Sequence, residues 1–388
     1  MKHFVFALAA PLLLAANLPA TAAGPSGDDL FKAGDFSGAK AAYQIAVHDH
    51  SRDVAALLGL ARIALYENDL NTAQTDAQTL MSYDAGNVTA KRILDTIAGR
   101  RSILASAMTL KVPAEGAVIP FLYTDPLPLM QVRINGHDAN LLLDTGAPDL
   151  ALDPAFAAEL HLKVTDSGQM GQFAGNRSAQ IQQTTVDTLE AGGVTISNLH
   201  AAVIPSRGLD MFKDRKVDGV IGTVFLSRFL ATIDYPNHRL VLKPRSAAAP
   251  ATAGTVALPM WLIGDHFIFA KGSLNGVHDA MMLVDSGLAG GGFMPNNDSI
   301  ASSKIQTFPD KAGQGMGGGG PVTFIPAVAA SLCLGTVCQQ NVPGSYTPEG
   351  SPLQGFAFHT LSAVSHEFLK HYAVTFDFQG MQLFLTTP

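Results

Sequence analysis

Cysteine is nearly missing from this 388-residue chain, which carries only Cys333 and Cys338. That excludes a disulfide-dense scaffold, and two thiols do not close a zinc site. Charged residues are scarce at 15%, and no block of Lys or Arg forms a phosphate-binding stripe, so nucleic acid is not an expected partner. Past the first residues no apolar run approaches the ~20 residues that cross a bilayer. No Gly-x-Ser-x-Gly elbow offers a serine nucleophile. His366-Glu367 is followed by His371, one residue too many for His-Glu-x-x-His on one helical face. These read as scattered surface histidines, so no metal and no cofactor are expected.

Hydrophobic residues make up 47% and the formal charge is -7, which permits large cores and argues for a multi-domain globular chain. Residues 1–22 have a separate grammar: Lys2, an apolar run from Phe4 to Ala16, and the small-residue ending Ala20-Thr21-Ala22. This predicts a cleavable signal peptide. With no cysteine near the cleavage region, the mature protein is expected to be periplasmic or secreted, not a lipoprotein, and without a membrane span. In Leu332-Cys333-Leu334-Gly335-Thr336-Val337-Cys338, a glycine turn between apolar arms suggests a hairpin. An oxidising compartment would let the facing cysteines pair; otherwise they are two buried thiols.

Residues 23–105 are rich in Ala and Leu at helical spacing, with no proline from Ser26 to Arg101. Gly34-Asp35-Phe36 with Ala39 recurs as Asn68-Asp69-Leu70 with Ala73, a period of 34 residues. That period belongs to helical hairpin repeats, and the segment resembles tetratricopeptide repeats, with Ala39, Tyr43, Ala46, Ala61, Ala73 and Ala77 at packing positions. Two such units are barely enough to close a core, so the segment is expected to dock on the rest of the chain, either as a cap or as a seat for a protein partner.

After Met108 the texture changes to short β-rich runs punctuated by Gly, Pro, Asn and Asp, the pattern of an all-β architecture. This half is duplicated, as residues 112–243 and 255–388, around the Ala/Pro-rich linker 244–254. Val118-Ile119-Pro120-Phe121 is echoed by Ala257-Leu258-Pro259-Met260, and Asn135-Gly136 by Asn275-Gly276. Leu142-Leu143-Asp144-Thr145-Gly146 is echoed by Leu283-Val284-Asp285-Ser286-Gly287. Thr232-Ile233-Asp234-Tyr235 is echoed by Thr375-Phe376-Asp377-Phe378. Each copy reads as one lobe.

With Asp218-Gly219-Val220-Ile221-Gly222 added, residues 116 to 388 resemble the retropepsin and pepsin superfamily of aspartic proteases, specifically bacterial exported retropepsin-like proteins. The resemblance implies a bilobal all-β acid-protease fold and an aspartic endopeptidase in which Asp144 and Asp285 share one proton across a bound water. Viral relatives of such enzymes dimerise to obtain two aspartates; here one chain supplies both, implying a monomeric active unit acting on a protein or peptide substrate. By the same resemblance, Thr145 and Ser286 would lock the aspartates in register, and Gly146 and Gly287 would let backbone N–H groups approach them.

Ala147 and Leu288 stand where pepsins often carry a hydroxyl, which predicts a less acidic optimum than a gastric pepsin's. Gly171, Phe173 and Gly175 fall in the stretch expected to form a substrate flap, with Gly313 to Gly320 its counterpart. Asp234 and Asp377 are read as structural. The second lobe's equivalent of Val220-Ile221-Gly222 is read as Phe356-Ala357-Phe358, with phenylalanine in the glycine place. That departure motivates an alternative reading, an inactive peptide-binding or scaffold protein.

Overall fold

The computed structural model describes residues 24–105, 109–173, 177–207, 211–317 and 320–388, so the predicted leader, residues 1–22, lies outside the described residues. Five helices come first: α1 (Gly27–Lys32), α2 (Phe36–Asp49), α3 (Val54–Tyr66), α4 (Leu70–Tyr83) and α5 (Val88–Ala105). The sequence period has a local cause. Gly34 and Asn68 turn left-handed at φ 77° and 57°, and Asp35 and Asp69 then cap the next helix by accepting from Gly38 N at 2.9 Å and Thr72 N at 3.1 Å. Ala39, Ala61, Ala73 and Ala77 are fully buried between the helices, where larger side chains would push them apart. No helix among the described residues is long and apolar enough to cross a membrane.

The first lobe contains β1 (Leu110–Lys111), β2 (Ala117–Tyr123), β3 (Leu129–Ile134), β4 (His137–Leu143), β5 (Leu150–Leu152) and α6 (Pro154–Glu159). The long hairpin of β6 (Thr165–Phe173) and β7 (Arg177–Ala191) follows, then β8 (Val194–Val203), β9 (Gly219–Ile221), α7 (Thr223–Leu226), β10 (Phe229–Asp234) and β11 (Arg239–Pro244). The second lobe repeats this order with β12 (Thr255–Ile263), β13 (Phe267–Leu274), β14 (Val277–Val284), β15 (Phe293–Pro295), α8 (Ser299–Ser302) and β16 (Gln306–Thr307). It closes with β17 (Gly313–Gly317), β18 (Gly320–Leu334), β19 (Val337–Tyr346), β20 (Thr360–Val364), α9 (His366–Leu369), β21 (Ala373–Asp377) and β22 (Gln382–Thr386).

Both lobes set their register with the same turn. Asn135-Gly136 and Asn275-Gly276 have positive φ at both positions, the geometry of a two-residue hairpin whose twist matches its strands. Each asparagine side chain then accepts from the neighbouring strand, Asn135 from Thr188 N and Asn275 from Ser331 N, both at 3.0 Å. Between the lobes, β2, β11, β10, β21, β22 and β12 pair antiparallel in that order, three strands from each copy. At the centre Thr232 opposes Thr375 and their hydroxyls meet at 2.7 Å. Asp234 accepts from Asn237 and Arg239, and Asp377 from Gln379 N and Gly380 N, which are structural roles. Cys333 and Cys338 face each other across β18 and β19 and form a disulfide.

The helical unit packs on the second lobe through aromatic side chains. Phe31, Phe36 and Tyr66 surround Phe358, and Phe36 also meets Trp261 edge-on at 5.7 Å. Buried Arg100 spans the same seam. Its guanidinium donates to Leu65 O at 2.7 Å on the helical side and to Leu262 O at 2.8 Å on the other. His359 N donates to Lys32 O at 2.7 Å, so backbone as well as side chains crosses the junction.

Candidate active site

Each lobe builds its aspartate in the same manner. An apolar strand, β4 or β14, ends on the residue before the carboxylate, and a second apolar strand, β9 or β20, runs parallel beside it. Asp144 N donates to Ile221 O at 3.0 Å, and Asp285 N donates to Val364 O at 2.9 Å. Buried Leu141 and Leu143 in one lobe and Met282 and Val284 in the other anchor these strands in the core, so the polar ends project from a rigid base.

The parallel register corrects one sequence assignment. The counterpart of Ile221-Gly222 is Val364-Ser365, not Ala357-Phe358. Phe358 lies outside the support strand and serves the helical junction instead. A Cβ at Gly222 would come within 2.2 Å of Ala147 O, so the first lobe requires glycine. In the second lobe Ser365 occupies that place, and its hydroxyl is shared between Asp285 O at 2.7 Å and Leu288 O at 2.8 Å. Spacing held the clue: Ile221 lies 77 residues after Asp144 and Val364 lies 79 after Asp285, whereas Ala357 lies only 72 after it.

The two loops are braced crosswise. Thr145 Oγ1 donates to Val284 O at 2.9 Å and accepts from Ser286 N at 2.9 Å. Ser286 Oγ donates to Leu143 O at 3.1 Å and accepts from Thr145 N at 3.0 Å. Both side chains are completely buried, so all four bonds are shielded from water. Gly146 N donates to Asp144 Oδ1 at 2.7 Å, and Gly287 N to Asp285 Oδ1 at 2.8 Å. A Cβ on Gly146 would lie 2.7 Å from Asp285 Oδ2, and one on Gly287 would lie 2.1 Å from Asp144 Cγ. The opposing carboxyl thus rests directly against each glycine, and any side chain there would force the pair apart.

The two carboxyls lie against each other, close enough to share one proton. Burial pushes both above the ordinary carboxylate range, and the charge of Asp144 adds to burial in holding Asp285 well above it. Gly146 N opposes this shift at Asp144 and favours its ionised form. The result is a pair that titrates together and retains one proton where free carboxylates have lost theirs. Below it the Tyr235 hydroxyl is buried and approaches Ser286 without a hydrogen bond of normal geometry. Burial and the charges of Asp285 and Asp144 push this phenol up, so it stays neutral. The second lobe has Phe378 in the equivalent place.

Of the expected flap residues, Gly171 and Phe173 lie at the end of β6, while Gly175 lies outside the described residues. The hairpin of β17 and β18 is its counterpart in the second lobe. His366 is not a surface residue, contrary to the sequence reading. It opens α9 and is fully buried, because it follows the support strand into the lobe interface. Sequence reasoning also missed the placement of Tyr235, although it ends a repeated block, and of Ser365, which only the strand register marks. The pockets beside the helical unit, one of them a 40 Å³ space between Arg100, Val224 and Phe378, are lined by neither aspartate.

Residues 130–225 match the family model described as aspartyl protease, which supports an aspartyl protease domain and a protease function in general for this part of the chain. The matched region contains Asp144, Thr145, Gly146 and the support strand β9. No curated protein matches the chain.

Proposed function

We propose that the chain is an aspartic endopeptidase in which Asp144 and Asp285 act together on a water held between them. The observation that carries this reading is the crosswise brace of Thr145 and Ser286, which holds the two carboxyls against each other and against the opposing glycines. In that state one carboxylate removes a proton from the attacking water while the other carboxyl donates to the substrate carbonyl oxygen. The water oxygen bonds to the carbonyl carbon, and collapse of the resulting diol breaks the C–N bond as the nitrogen takes up a proton. The preference for a singly protonated pair follows from its burial, since two ionised carboxylates in contact repel without solvent to screen them.

An extended peptide fits this reading, lying between the lobes with the hairpin of β6 and β7 as the flap that supplies backbone hydrogen bonds. One chain furnishes both aspartates, so a monomer is the proposed active unit. The leader-like residues 1–22 support export to the periplasm or beyond. The 34-residue period supports a tetratricopeptide-like origin for the helices. Their aromatic packing on the second lobe favours a fixed cap over a tethered recruiting module. The proposed scaffold alternative loses its motive, because Phe358 is not in the support strand.

The test is cleavage of a mixed peptide library followed by mass spectrometry. Asp144→Asn and Asp285→Asn, each separately, are expected to lower the cleavage seen with the unaltered chain by about 100- to 10,000-fold. Equal product patterns from all three proteins would defeat the proposal.

A further inference from the structure

A second cluster of ligand-type side chains lies at the seam between the lobes. Asp125 comes from the connection between β2 and β3 in the first lobe; His366 and Glu367 open α9 in the second. One nitrogen or oxygen from each of the three lies within 4.8 Å of the others. His366 Nε2 is 3.8 Å from Asp125 Oδ1, and its ring is completely buried with no hydrogen-bond partner at either nitrogen. Lys370 Nζ also reaches this cluster, 3.1 Å from Asp125 Oδ2 and 2.8 Å from the Glu367 carboxylate.

The single ammonium of Lys370 pairs with both carboxylates but balances only one of their charges and leaves the imidazole unanswered. A buried imidazole without a partner is unfavourable, and it faces Asp125, an exposed carboxylate of the opposite lobe. We propose that Asp125, His366 and Glu367 form an interlobe site for a divalent transition-metal ion of the zinc type, which displaces the Lys370 ammonium. One imidazole nitrogen and two carboxylate oxygens suit such an ion, and its two positive charges balance the two carboxylates. Calcium and magnesium are poorer fits, because they favour all-oxygen shells. The ion joins the lobes through side chains. Its α9 ligands directly follow Ser365, whose hydroxyl holds the backbone of Asp285 and Leu288, so the site braces the second catalytic loop from behind.

The inference does not depend on peptide cleavage and is tested by binding alone. The full chain, freed of metal with a chelator, is titrated with Zn²⁺ by calorimetry and with Co²⁺ by visible absorption. One site per chain is expected. Asp125→Asn, at an exposed side chain that does not threaten folding, and His366→Gln should each weaken it by at least about 100-fold, since direct ligands matter no less than the outer partners that typically contribute 10–100-fold. Lys370→Gln should bind a few-fold more tightly because the competing cation is gone. Failure of the unaltered chain to bind, whether or not Lys370→Gln binds, would overturn the proposal. So would binding that Asp125→Asn leaves unchanged, or Co²⁺ absorption unaffected by His366→Gln.

Discussion

Phe358 of the second lobe stands edge-on to Phe36 of the helical unit, with ring centroids 5.1 Å apart and planes at 88°. Phe31, Tyr66 and Phe269 complete the enclosure, so one ring belongs to the core of two structural units. Phe358→Ala should therefore destabilise the protein by about 3–5 kcal/mol, the usual effect of emptying a large aromatic site. Denaturant unfolding followed by circular dichroism measures this, and a shift under about 1 kcal/mol would show that the helices are not held there.

Asp285→Asn should separate activity from stability. Cleavage is expected to fall by about 100- to 10,000-fold, the contribution of a positioned proton-transfer group. The folded-state pKa of Asp285 is raised above its unfolded value. Its protonated form is favoured by folding, so its contribution is fully present below the ordinary carboxylate pKa and is lost as pH rises through the raised value. At neutral pH the native carboxyl is consequently a liability, and the amide should raise the melting temperature there. At pH about 3, where both states hold the proton, the difference should vanish. Melting curves at the two pH values check this; a loss of stability at neutral pH contradicts it.

The rate of cleavage should persist to higher pH than free carboxylates allow. The active pair carries one proton, and burial pushes both members up. Neither Ala147 nor Leu288 offers a hydroxyl that would favour the charged form. A profile of kcat/KM against pH should retain activity above about pH 4, the ordinary carboxylate midpoint. An optimum near pH 2 would mean that the ionised states are better stabilised than the buried geometry allows.

Removing the disulfide by replacing Cys333 and Cys338 together with alanine should reduce stability by about 2 kcal/mol, the loop-entropy expectation for so short a closed loop. Cleavage should be unchanged, since the bridge lies on β18 and β19, away from the aspartates. Thermal unfolding and peptide assays on the same variant test both halves.

Much of the lobe was readable because duplication repeats local rules. Asn135-Gly136 and Asn275-Gly276 encode the same hairpin, and the apolar strands running into Asp144 and Asp285 encode the same strand end. The 34-residue period was legible for the same reason, and its local cause, the capping by Asp35 and Asp69, is short-range chemistry that the structure makes explicit. Ser365 was hidden because a parallel pairing joins residues about 80 positions apart, and alanine, valine and serine carry little local signal. His366 looked like a surface residue because its burial comes from the packing of Tyr235, contributed by the other lobe. Phe358 was misread for a related reason: its partners lie in helices some 300 residues earlier, and no local pattern announces that contact.

The strand pair carrying Thr232 and Thr375 has a consequence for how the protein can be assembled. It joins equivalent strands of the two copies through backbone bonds and matching hydroxyls, while the covalent connection runs elsewhere, through a segment with neither helix nor strand between Pro244 and Thr255. The peptide link is thus a tether rather than a beam. A molecule nicked in that segment, or produced as two complementary polypeptides, retains every contact that aligns the halves, and recombination of the fragments should restore a single intact cleft.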